Sequence, residues 1–142
     1  YMIQDEDLQE GDLRLLTVDN PLVIPANKNV QILITAGDVL HSWAVPSMGI
    51  KTDAVPGRLN ETWVNVKEPG TYRGQCSEIC GTGHGFMPVV VKVLPENEFM
   101  AWVNTAKNNY AINEDIQIDV KPSEEIIVSE NKIIQIIEEK TL

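Results

Sequence analysis

Two cysteines, two histidines and a methionine carry the chemistry this sequence can do. Cys76, Cys80, His84 and Met87 fall in one stretch, Gly74 to Pro88, spaced Cys-x3-Cys-x3-His-x2-Met. The other histidine, His41, lies far upstream. Thiolate and thioether are soft donors that favour copper, while imidazole suits copper and zinc alike. Taken singly, a cysteine is usually a small buried hydrophobe, and the pair could form one disulfide closing a tiny loop. Their grouping argues for ligation instead. A Cys2His2 zinc site is the sharper alternative, but such sites commonly use a close cysteine pair and a close histidine pair. Here the histidines are distant, and Met87 would have no role on zinc. A single-copper electron-transfer site takes one cysteine, two histidines and a weak methionine, which leaves the second cysteine over. Two thiolates can bridge two copper ions, each then completed by one imidazole and one weaker ligand. Sharing one electron over two metals reduces the bond-length change at each, which suits electron transfer. No acid–base pair accompanies these residues in the loop.

Such ligands need a rigid frame, and the chain supplies strand-sized runs to build one. Leu13–Val18, Leu22–Ile24, Val30–Thr35, Thr62–Val66 and Val89–Leu94 are rich in apolar or β-branched residues. Asp19-Asn20-Pro21, Pro25, Gly37-Asp38, Pro69-Gly70 and Pro95 punctuate them. Short strands with Gly and Pro between them predict an all-β sandwich or barrel. Pro95 to Lys107, with Glu96 and Glu98 ahead of Phe99, Met100, Trp102 and Val103, predicts a short amphipathic helix. Residues 111–142 hold eight acidic and three basic residues with Ile-rich runs, and read as an arm that packs on the domain or on a neighbouring subunit. The expected division is therefore a domain over 1–107 and an extension over 108–142. Trp43 and Trp63 are expected in the aromatic core.

The 142 residues suit a single core, and the formal charge of -10 disfavours nucleic acid and anionic membrane surfaces. It favours a basic partner. No run reaches the ~20 apolar residues that cross a bilayer. The start at Tyr1 rather than Met reads as a processed or trimmed product.

Two stretches closely resemble cytochrome c oxidase subunit II: Asp38 to Asn60, with His41-Ser42-Trp43 and Asp53-Ala54-Val55-Pro56-Gly57-Arg58, and Gly74 to Pro88, with Gly-Gln-Cys-Ser-Glu-Ile-Cys-Gly. The resemblance runs from about Tyr1 to Lys107 and implies a cupredoxin-like Greek-key β-barrel carrying a binuclear copper (CuA) centre. It implies that His41 and His84 each ligate one copper, that Cys76 and Cys80 bridge both, and that Met87 is a weak axial ligand. The backbone carbonyl of Glu78 would complete the other copper, and the Glu78 side chain would reach a magnesium ion at the boundary with subunit 1. Asp53 and Arg58 are similar to residues facing subunit 1 near the haem propionates, set against the plainer reading of a surface salt bridge worth ~0–1 kcal/mol. The implied function is an electron-transfer subunit of the respiratory chain, part of an oxidoreductase and translocase complex. Electrons from cytochrome c, docked near Asp38, would pass to haem in subunit 1, where oxygen is reduced to water. The family's tryptophan-rich stretch and transmembrane helices do not precede Tyr1, so the resemblance predicts either trimming or a separate polypeptide supplying the transmembrane half. The expected location is the intermembrane-space side of the mitochondrial inner membrane, or alternatively the periplasmic side of a bacterial plasma membrane. A nitrous oxide reductase copper domain and a copper-delivery protein are the rival readings.

Overall fold

A computed structural model describes residues 1–110 of the chain, with the side chain of Tyr110 left aside. Seven strands precede one helix: β1 (Leu22–Pro25), β2 (Val30–Ile34), β3 (His41–Val45), β4 (Ile50–Ala54), β5 (Asn60–Val64), β6 (Gly70–Gln75), β7 (Pro88–Leu94) and α1 (Glu96–Tyr110). β7 lies between β1, which it pairs in parallel, and β6, which it pairs antiparallel. β2 pairs antiparallel with β5, and β3 with β4. Among the described residues the architecture is thus all-β with one C-terminal helix, in keeping with the cupredoxin-like expectation.

Alternation explains most of the strands. Ile50 and Ala54 of β4 face inward while Lys51 and Asp53 face out, the period of a half-buried strand. β7, flanked on both sides, buries Val90, Val91 and Val93, and so carries a nearly continuous apolar run. The β3–β4 turn follows from Pro46, which opens a 3-10 turn, and Gly49, whose φ of 70° closes it. Ile24, Ala26, Val45, Ile50, Val64, Val66, Val91 and Val93 form the main core, and Ile34, Ala36 and Ala54 a second cluster. Trp43 packs against both clusters as expected.

Three expectations change. Leu13–Val18 is not a strand: Leu15 sits at φ 64°, Leu16 N–H donates to the Leu13 carbonyl, and Thr17 Oγ1 bonds Leu13 at its amide and its carbonyl. Only Val18 bridges, to Met2. Trp63 is 63% exposed rather than core, because β5 turns Thr62 and Val64 inward and leaves the intervening ring outside. The helix starts one residue after Pro95 and runs on past Lys107 to Tyr110. Tyr1–Phe99 is one compact unit, and Met100–Leu142 a second, described as far as residue 110. The expected arm over 108–142 lies outside the described residues beyond Tyr110.

Candidate metal centre

β3 opens on His41, and β6 ends at Gln75, immediately before Cys76. The segment from Cys76 to Met87 is a loop between β6 and β7, drawn shut at its neck where Cys76 N–H donates to the Met87 carbonyl at 2.9 Å. Inside it, His84 N–H donates to the Gly81 carbonyl and Phe86 N–H to the Gly83 carbonyl, a 3-10 turn that folds the histidine back. Gly81, at φ 122°, makes the reversal that a side chain would resist. A further bond, Ser77 N–H to the Ser42 carbonyl at 3.1 Å, ties the loop to β3. Strand ends fix all the ligand-bearing segments.

The side chains converge. The sulfurs of Cys76 and Cys80 lie 3.9 Å apart, and the cysteines are free rather than disulfide-bonded. His41 Nδ1 is 3.9 Å from the Cys76 sulfur, and His84 Nδ1 is 3.4 Å from the Cys80 sulfur. Met87 Sδ approaches Cys80 to 3.5 Å, and the Glu78 carbonyl oxygen approaches Cys76 to 3.4 Å. Among the described residues, His41, Cys76 and Cys80 place their ligand atoms all within 4.8 Å of one another. His84 and Met87 join on the Cys80 side, and Glu78 contributes its backbone on the Cys76 side.

Asp38, expected near a docking face and with its side chain 73% exposed, also touches the centre. Its Oδ1 lies 2.8 Å from His41 Nε2. A carboxylate can only accept, so Nε2 carries the proton and Nδ1 turns a lone pair toward the sulfurs. The Asp38 bond raises the imidazole's affinity for a second proton and holds the Asp38 carboxyl below its ordinary range. An Asp-x-x-His spacing was the available signal, since metal-binding histidines commonly rest their second nitrogen on a carboxylate. Burial acts to raise the Cys76 thiol, but backbone hydrogen bonds at Glu78 and Ser42, with His41 and His84, outweigh it and bring the pKa to about 6. Desolvation and the neighbouring Cys76 sulfur hold the Cys80 thiol above its ordinary range.

Six donors meet here: two sulfurs of cysteine, two imidazole nitrogens, a thioether and a carbonyl. That exceeds the four of a tetrahedral zinc site, and the softness of three of the six fits copper. Paired thiols able to serve both metals fit a copper pair better than a single ion.

Asp53 and Arg58 do not pair. Asp53 engages Lys51 at 3.1 Å, which lowers its carboxyl pKa. Arg58 is exposed, follows a turn closed by its N–H to the Val55 carbonyl, and makes no ion pair among the described residues.

Comparison with known proteins agrees with this geometry. Residues 1–94 match the family model described as cytochrome C oxidase subunit II, periplasmic domain. Cytochrome c oxidase subunit 2 of Phytophthora megasperma is 53% identical over 113 residues, 80% of this chain and 42% of that protein. The Arabidopsis thaliana subunit 2 is 57% identical over 104 residues, 73% of this chain and 40% of that protein. This chain thus spans about two fifths of those relatives' length. The crystal structure of the periplasmic domain of subunit II of cytochrome oxidase from Bradyrhizobium japonicum is 47% identical, with a TM-score of 0.70 over 78% of this chain and 76% of that one. Sequence match, fold and the converging ligands point the same way, and the chain belongs to the cytochrome c oxidase subunit II family.

Proposed function

We propose that this chain is the electron-accepting domain of a cytochrome c oxidase, taking electrons from cytochrome c and handing them to haem in subunit 1. One observation carries the reading: two free thiols 3.9 Å apart, each with an imidazole nitrogen beside it, held by β3 and the β6–β7 loop. Cys76 and Cys80 would bridge a copper pair, His41 and His84 would each bind one copper, and Met87 and the Glu78 carbonyl would be the weaker ligands. A thiolate-bridged copper pair supplies one-electron exchange with little change in geometry. The chain's own residues do the rest. Asp38 fixes the His41 tautomer, the low Cys76 pKa makes a thiolate available near neutral pH, and the loop's backbone bonds hold the ligands in place.

Family membership supports further assignments. The Glu78 carboxylate would reach a magnesium ion shared with subunit 1. Asp53 and Arg58 would face that subunit. Oxygen reduction takes place there, so this chain is part of an enzyme complex rather than its oxygen-reducing site. Its relatives come from bacteria and from mitochondria-bearing organisms, which supports placement outside a bacterial plasma membrane or on the intermembrane-space side of the mitochondrial inner membrane. The transmembrane part characteristic of the family would come from the rest of subunit 2, in this or a separate polypeptide.

The net charge of -10 suits a basic electron donor steered at long range. Stopped-flow mixing of copper-loaded protein with reduced cytochrome c tests this. The second-order rate is expected to fall steeply as salt rises from low to physiological ionic strength. A salt-independent rate would remove cytochrome c as the steered partner.

A further inference from the structure

Four of the side chains at the centre, Cys76, Cys80, His84 and Met87, come from a single loop, and Glu78 from the same loop. Only His41 comes from elsewhere, at the start of β3. The spacing that depends on tertiary packing is therefore that of β3 against the end of β6. At that junction sits Gly74, two residues before Cys76. A Cβ placed on Gly74 would stand 1.7 Å from the Ala44 carbonyl oxygen, 2.7 Å from the Ala44 carbonyl carbon and 2.9 Å from the Val45 Cα. All three are backbone atoms, so no side chain can swing aside. The glycine is not needed for its own conformation, since it is absent from the positive-φ residues. It is needed for space, the circumstance in which a strand glycine marks close approach by another backbone.

We propose that Gly74 is a positioning residue for the metal centre: by letting β6 lie directly against the backbone of β3, it sets the reach of His41 Nδ1 to the Cys76 sulfur. The role rests on the copper reading above. Ser77 N–H donating to the Ser42 carbonyl marks the same juncture on the far side of Cys76, so the cysteine is bracketed by two points of contact with β3. Any residue larger than glycine at position 74 must push the strands apart. His41 then withdraws from the sulfurs while the loop keeps its own ligands together.

The test compares copper uptake and the electron paramagnetic resonance spectrum in wild type, Gly74→Ala, His41→Ala and Val64→Ala. Val64 is core on β5, whose strand partner is β2, and its truncation controls for lost stability. Both Gly74→Ala and Val64→Ala are expected to unfold at lower urea. Of these two, Gly74→Ala alone is expected to lose copper and exchange the hyperfine pattern of an electron shared by two nuclei for that of one, as in His41→Ala. A shared-electron spectrum with full copper in Gly74→Ala would overturn the proposal. Wild type without a shared-electron spectrum would instead overturn the copper reading. Amide hydrogen exchange on copper-free wild type decides independently, even if Gly74→Ala does not fold. A protected Ser77 amide is expected, and one exchanging at the free-peptide rate would overturn the close-approach claim.

Discussion

His41 divides its two ring nitrogens between two tasks. Nε2 is occupied by Asp38, and Nδ1 is free to face the cysteine pair. Removing the carboxylate leaves the ring free to rotate and to take the wrong tautomer. Asp38→Ala is expected to weaken copper binding about 10–100-fold, read by competition with a chelator of known affinity; unchanged affinity would show that the bond does not orient the ring. The sulfurs differ as well. With Cys76 lowered to about 6 and Cys80 raised, Cys76 is largely thiolate at neutral pH and Cys80 is not. In copper-free protein iodoacetamide is therefore expected to label Cys76 first. Its rate should rise with pH through about 6 and fall away below it, because the protonated thiol is inert. Peptide mapping that finds Cys80 labelled first would reverse this order. The cluster of soft donors was legible in the sequence because such side chains at fixed spacing have few other uses. The Asp38–His41 bond was not read, since an exposed aspartate looks like any other until the turn before β3 brings it back on the ring.

Strands carry the frame, and their contributions to stability can be separated. Ile24 of β1 is 2% exposed and lies in the main core. Ile24→Ala is expected to cost about 2–5 kcal/mol, measured by urea unfolding with an unchanged slope. Trp63→Ala, on the solvent side of β5, is expected to stay within about 0.5 kcal/mol; a core-sized loss there would restore the buried reading of that ring. β1, β2, β5 and β7 were read from apolar and β-branched runs. β6, Gly70-Thr-Tyr-Arg-Gly-Gln75, escaped because it carries few such residues, and its place comes from pairing with β7. β4 escaped although its alternation was present, since Asp53 was read for its charge rather than as part of an outward face. Leu13–Val18 misled in the opposite sense: its composition suits a strand, but local hydrogen bonds around Leu13 and Thr17 win, with Leu15 left-handed. Propensity yields to such local closure where no strand partner competes.

For the molecule as a whole, the division of labour lies between the loop, which gathers soft ligands, and the barrel, which brings one distant histidine to them. The cupredoxin-like fold gives strand ends that are fixed by a close-packed core, so side chains at those ends have little freedom to move. Whether two thiolates bridge two metals is read most directly from copper per chain on reconstituted protein, paired with electron paramagnetic resonance. A bridged pair gives two coppers per chain and a single unpaired electron coupled equally to both nuclei. A single copper with a localised spectrum, or zinc with no paramagnetic signal, would contradict it.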